Sequence, residues 1–291
     1  MKDDRTKGLI IAFLTFFMWG VFPIYFKFIQ DVDATQILAH RIFWSFVLLF
    51  LFLFFTKKLK NISLLLSDRK KALALLCTGC LISINWGIFI WAVNLGDILS
   101  TSLGYFINPL LSVLLGAIFL KERLSLAGRV SLFLAFLAIC VQIYALGRLP
   151  FVSLILPTSF AFYGLIRKKI AVPSFEGLFC ETTLMLPFAC AYLGFCVYSG
   201  TSAFGAHSTG ALLAFSGVIT VLPLITFAIS TAYLPLSTIG FMQYLSPSMS
   251  MLIAVFLYGE ELSFYKIFSF SLIWLGLAIV GFDSLKRSKN G

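Results

Sequence analysis

The chain has 291 residues, of which 60% are hydrophobic and only 12% charged, with a net charge of +10 and a mean hydropathy of +1.00. A water-soluble domain covers its surface with about a quarter charged residues, so this composition speaks against a soluble globule and makes lipid the solvent. The basic residues stand in short groups between apolar runs rather than on one face, which speaks against nucleic-acid binding.

About 20 mainly apolar residues are needed to cross the hydrocarbon core. Runs of that kind fall at 8–29, 36–56, 72–93, 99–120, 129–146, 150–166, 176–198, 209–232, 236–258 and 266–283. The first follows a charged start, as a signal peptide would. It is too long for such a segment, carries Pro23 and bulky aromatics, and lacks a small-residue cleavage site, so it is read as the first span. The short connections make consecutive spans antiparallel neighbours, and no soluble domain is expected. The six cysteines (Cys77, Cys80, Cys140, Cys180, Cys190 and Cys196) lie in or at the edges of apolar runs. Cys77-Thr-Gly-Cys80 reads as small residues at a helix contact rather than a redox or metal pair.

Orientation follows from the basic residues. With both termini cytoplasmic, the inner segments hold 18 of the 22 Lys and Arg, whereas the outer ones hold Arg41, Arg148 and Lys266, and Lys27 lies within the first span. LSTSLGYFINPLLSVLLGAIFLKERLS, starting at Leu99, returns from Leu236 as LSTIGFMQYLSPSMSMLIAVFLYGEELS. Anchored on Pro109 and Pro247, the offset is 138 residues, and Ser112/Ser250, Leu114/Leu252, Glu122/Glu260, Leu124/Leu262 and Ser125/Ser263 coincide. That offset contains five spans, an odd number, so the second copy crosses in the opposite direction. The expectation is an all-α integral membrane protein of ten transmembrane helices in a 5+5 inverted-topology repeat. Residues 1–147 form one five-helix repeat and 148–291 the other. Two similar halves facing opposite ways suit alternating access.

The pattern Pro-x₁₂-Glu-x-Leu at 109–124 and 247–262 resembles the twin domains of the EamA family in the drug/metabolite transporter (DMT) superfamily. GYFINPL (104–110), NWGIFIWAVN (85–94), AHRIFWSF (39–46) and FAFYGLIRKKIAV (160–172) resemble its RarD branch, over essentially the whole chain. The resemblance implies ten helices, a central cavity between the halves and the bacterial inner membrane. It also implies transport of a small solute, with no cofactor.

Candidate site residues come from helical spacing. Thr101, Tyr105, Asn108 and Ser112 form one polar stripe on the fourth span, and Gln243, Ser246 and Ser250 answer it on the ninth. Pro109 and Pro247 stand beside these stripes and weaken the helical ladder, so the stripes are expected to face each other across one cavity. Trp19 and Tyr163 each precede a glycine in the first span of their half, and Asn85, Trp86 and Asn94 lie on the third span. Such a lining suits a flat or zwitterionic organic solute. Lys27 and Asp31 can pair at the outer end of the first span, and His40-Arg41 opens the second and reads as interfacial. Glu181 lies well inside the seventh span, where a carboxylate is costly, and is the candidate for proton coupling.

No zinc-protease, nucleophile-elbow or Walker A pattern is present, so an enzyme or ATP-driven pump is not expected. The leading reading is secondary active export of an amino-acid-like metabolite or a drug such as chloramphenicol. The alternative within transport is import or exchange of a nucleotide-like metabolite or cofactor such as S-adenosylmethionine. Outside transport, the alternative is a regulatory membrane protein without a translocation path.

Overall fold

A computed structural model describes residues 2–120, 126–147, 149–170, 172–205, 207–233 and 242–290, and among them every regular element is a helix. The first expected span divides at Val21 into α1 (Lys2–Gly20) and α2 (Phe22–Phe28), with Pro23 in the first turn of α2, where no N–H is needed. Asp33 starts α3 (Ala34–Phe55) by accepting from the N–H groups of Thr35 and Gln36. The basic connection after it holds a short helix that the hydropathy pattern does not announce, α4 (Lys60–Ser67). Asp68 then caps α5 (Arg69–Asn94) through Lys70 and Lys71.

The chain continues through α6 (Ile98–Leu120), α7 (Leu126–Leu146), α8 (Phe151–Ile170), α9 (Ser174–Tyr198) and α10 (His207–Tyr233). It ends with α11 (Leu245–Leu252), a π-helical turn at Ile253–Leu257, and α12 (Phe264–Asn290). Helix thus occupies all or part of each expected span, and among the described residues six stretches are long and apolar enough to cross a bilayer. Residues 234–241, which open the expected ninth span, and Glu122 lie outside the described residues. Between α7 and α8 the chain turns at Gly147, whose φ of +63° is the left-handed form a helix end favours, and Pro150 immediately precedes α8.

The segments before and after this turn interleave. α1 lies against α10 and α11, α3 between α9 and α10, α5 and α6 against α8, and α7 against α12. In lipid there is no hydrophobic drive to hold apolar helices together, so close approach and hydroxyl bonds carry the association. A Cβ at Gly217 of α10 would stand 2.6 Å from the carbonyl carbon of Trp44 on α3, and one at Gly79 of α5 would touch the Glu181 backbone of α9 at 3.4 Å. Gly79 and Gly217 are 138 residues apart. At the α7–α12 contact, Ser131 donates to the Gly276 carbonyl (2.6 Å) and Ser269 to the Ala138 carbonyl (3.2 Å). These bonds are reciprocal, because 131/269 and 138/276 are again 138 apart.

Glu260 performs another long-range task. Its two carboxylate oxygens accept from the N–H groups of Ile98 (2.7 Å) and Leu99 (2.9 Å), orphan donors in the first turn of α6. The glutamate of the second repeated motif therefore caps a helix in the first part of the chain. Burial raises its pKa, the two backbone N–H bonds oppose that rise, nearby Asp97 adds to it, and Lys266 opposes it.

Two outcomes follow from these contacts. Gly217→Ala should lower stability in detergent by about 1–3 kcal/mol through forced displacement of α3. Gly194→Ala, with nothing within 4 Å, should leave stability unchanged or raise it; equal unfolding temperatures for the two variants would remove the close contact. For Glu260, a folded pKa above the unfolded one means stability fully present below the unfolded value and lost as pH rises through the folded value. The stability advantage of the wild type over Glu260→Gln should accordingly shrink as pH rises above about 4, the unfolded carboxylate value, measured by thermal unfolding.

Candidate functional site

Two buried charged clusters stand out. Glu181, the eighth residue of α9, is 1% exposed. Its Oε1 accepts from Thr78 Oγ1 of α5 at 2.7 Å and from Arg167 Nη1 of α8 at 3.3 Å, and its Oε2 from the Tyr163 hydroxyl at 3.4 Å. Arg167 also donates to the Pro173 carbonyl. Its guanidinium lies where a Cβ at Gly177 would be, so a glycine there makes room for the ion pair. Beside the cluster is a crevice with room for about one water molecule, lined by Ile42, Gly79, Trp86, Glu181, Thr182 and Met185 among others.

The second cluster surrounds Arg41, the eighth residue of α3 and 4% exposed. At 1.5 Å per residue it lies about 10 Å inside the helix start, so the interfacial reading of this residue is corrected. Its guanidinium carbon is 4.2 Å from the ring centroid of Trp86, with Phe22 and Phe26 at 5.7 and 5.8 Å. Nε donates to Thr220 Oγ1 of α10 at 2.7 Å, and the Tyr25 and Tyr105 side chains lie alongside. The Tyr25 hydroxyl is occupied by the Leu212 carbonyl, at 2.6 Å.

The clusters match in position and oppose in charge. Tyr25 and Tyr163 are 138 residues apart, as are Thr78 and Ser216, and Ser216 lies beside Tyr25. Arg41 and Glu181 are each the eighth residue of their helix, although they stand 140 rather than 138 residues apart. Each cluster takes groups from both sides of the Gly147 turn. That recurrence was available in the sequence as a signal for Thr78, through Ser216, whereas Arg41, Thr220 and Arg167 have Phe179, Ile82 and Ile29 at the same offset and are not selected by it.

The expected polar stripes do not converge. Ser246 donates to the Phe16 carbonyl (2.7 Å) and Ser250 to the Gly20 carbonyl (3.1 Å), so both hydroxyls bind α11 to α1. Pro247 is buried, and its carbonyl accepts from Ser102 of α6. Ser112 is exposed on the bundle surface, because one further step of four residues turns it about 40° past Asn108. Gln243 is half-buried, and the Pro109 side chain lies outside the described residues.

The remaining candidates divide between bracing and unfilled polarity. Asn85 donates to the Leu156 carbonyl and to Ser159 of α8, and accepts from the Tyr105 hydroxyl at 3.2 Å. Trp19 packs on the rings of Phe16 and Phe227. Asn94 donates to the Val32 carbonyl, while its Oδ1 has no partner. Asn108 is 3% exposed and its Oδ1 is likewise unpartnered. Lys27 bonds to Gln30 and lies over the Tyr258 ring; an ion pair with Asp31 is not among the contacts of the described residues.

Long apolar helices enclosing a few paired charges define a multi-pass membrane protein. The model of the EamA-like transporter family matches residues 6–144. An uncharacterized transporter of Vibrio cholerae is 43% identical, covering 98% of this chain and 95% of its own. Protein RarD of Escherichia coli is 41% identical, covering 98% and 96%. A solved crystal structure superposes with a TM-score of 0.61 over 94% of this chain and 97% of that one, at 17% identity, a likeness of fold. The chain belongs to the RarD branch of the EamA family, and is a multi-pass transporter of the bacterial inner membrane.

The buried ion pair gives an asymmetric expectation. Arg167→Met strands the Glu181 carboxylate and should cost about 3–5 kcal/mol. Glu181→Gln should cost less, because the amide keeps the Thr78 bond and Arg167 keeps the Pro173 carbonyl. Adding Glu181→Gln to Arg167→Met should restore part of the loss; unfolding of the four proteins in detergent measures the cycle, and simple additivity would mean the two groups do not interact.

Proposed function

We propose that this protein is a secondary active transporter that moves a small organic solute, amino-acid-like or drug-like, by alternating access between two inverted five-helix halves. The divide lies at Gly147–Pro150, and both termini are cytoplasmic. The observation that carries the reading is the recurrence at one offset of contacts that join the halves. Ser131/Ser269 and Gly79/Gly217 hold equivalent places on either side of the Gly147 turn and each makes its contact across it. Two halves built alike and inserted oppositely have two conformations of nearly equal energy, related by exchange of roles, which is what alternating access requires.

Coupling is assigned to Glu181. Proton binding there removes the charge that holds Arg167 and Tyr163, loosening one side of the bundle, and a proton exchanged for solute drives export down an inward proton gradient. The experiment is flux in liposomes containing only this protein, with labelled amino acids and chloramphenicol as probes. A pH gradient should drive wild-type accumulation of a probe. Glu181→Gln should abolish that accumulation while sparing counterflow of the same probe. Equal loss of both activities would return Glu181 to a structural role, and absence of any flux would overturn the transport reading.

A further inference from the structure

We infer that Arg41 is the recognition group for a carboxylate on the transported solute, so that the substrates are small organic acids and amino acids with a free carboxylate. The inference rests on the transport reading and adds the substrate class. An arginine remains protonated under any condition the bundle meets, so a positive charge sits here among Trp86, Phe22, Phe26, Tyr25, Tyr105 and Thr220, all neutral. Among the described residues no carboxylate lies within 4.0 Å of it, whereas the deeply buried Glu181 has its Arg167. Of five guanidinium N–H donors, one is used, by Thr220. The ring of Trp86 covers the flat face at 4.2 Å, which leaves the edge, the fork that fits a carboxylate, without a protein acceptor.

The surroundings are also incomplete in a way that matches a ligand. Ser45, one turn along the same face of α3, is fully buried with its hydroxyl unpartnered. Asn108, one turn along α6 from Tyr105, is 3% exposed with its Oδ1 unpartnered. A buried polar atom without a partner is costly, and two of them, one a turn from the unpaired cation and the other a turn from the tyrosine beside it, indicate groups kept for something that arrives. An acceptor oxygen beyond the cation suits a donor on the same solute, such as the ammonium of an amino acid.

Charge sets the class more narrowly. One carboxylate neutralises one guanidinium. A doubly charged phosphate would leave a net negative charge buried among neutral groups, with Arg167 committed to Glu181 and Lys27 at the periphery with Gln30. A carboxylate is therefore favoured over a phosphate. The site takes side chains from α2, α3, α5, α6 and α10, so binding there acts on both halves at once.

The test is ligand-dependent thermal stability of the purified full-length protein in detergent. The probes are the standard amino acids and benzoate, each beside its carboxamide, with inorganic phosphate and chloramphenicol (which has no carboxylate) as comparators. At least one acid should raise the unfolding temperature and its carboxamide should not. Arg41→Lys, which keeps charge but loses the two-pronged donor, should weaken that acid at least tenfold. Arg41→Met should abolish the response while unfolding no lower than the unliganded wild type, because it removes an uncompensated buried charge. A purely structural Arg41 would give the opposite, a large loss of stability with the ligand response retained in folded protein. The assignment is overturned if no acid acts, if acid and carboxamide act alike, or if Arg41→Lys and Arg41→Met both keep the response. Stabilisation and flux with chloramphenicol alone would leave the transport reading standing and remove the carboxylate. Absence of flux for every probe would remove the transport reading itself.

Discussion

Inside a bilayer a polar group has no water to turn to, and most of this structure follows from that constraint. The backbone satisfies itself by forming helices. What remains are hydroxyls, amides and a few charges, and many of them find a partner on a neighbouring helix. Ser102, Ser131, Ser153, Ser246, Ser250 and Ser269 all donate to carbonyls of another helix, and Thr15 donates to Thr226. Such bonds average well under 1–2 kcal/mol each in membranes, so their effect is less to add stability than to choose among otherwise equivalent apolar contacts. A helix face of Leu and Phe can slide; a serine over a particular carbonyl cannot without losing its bond.

The interleaving of the chain follows from the same selection. Glycines at 79 and 217 let α5 approach α9 and α10 approach α3, and both contacts join segments on opposite sides of the Gly147 turn. Glu260 extends the principle to a helix end, where two orphan N–H groups of α6 are satisfied by a residue more than 160 positions away. The acidic residue of the motif's second copy is thus a cap supplied from one segment to another. Across the two copies Lys-Glu-Arg becomes Gly-Glu-Glu, and the glutamate is kept while the charges around it change.

Much of the fold was legible because lipid reduces the sequence to runs of apolar residues and the loops between them. The turn at Gly147, the helical stretches and the close contact at Thr78–Gly79 all sit where hydropathy and small residues put them. Periodicity also found polar faces, but a face does not name its neighbour. Ser246 and Ser250 do lie on one side of α11, and that side belongs to α1 rather than to α6. Glu181 was legible because it is acidic inside a span. Arg41 was not, because near a span end it is indistinguishable from an interfacial residue until the helices around it are in place.

The two deeply buried clusters centre on charges of opposite sign. α3 places a guanidinium, and α9 a carboxylate, at its eighth residue, each beside a tyrosine from the preceding helix. The carboxylate is closed by its own arginine and hydroxyls, so that region is complete without a ligand. The guanidinium is closed by aromatic faces and a single hydroxyl, so that region is not. The two regions are thus unequal in what they leave unpaired. Each draws groups from both sides of the Gly147 turn, so a change of pairing at either charge acts on both segments through helices already in contact.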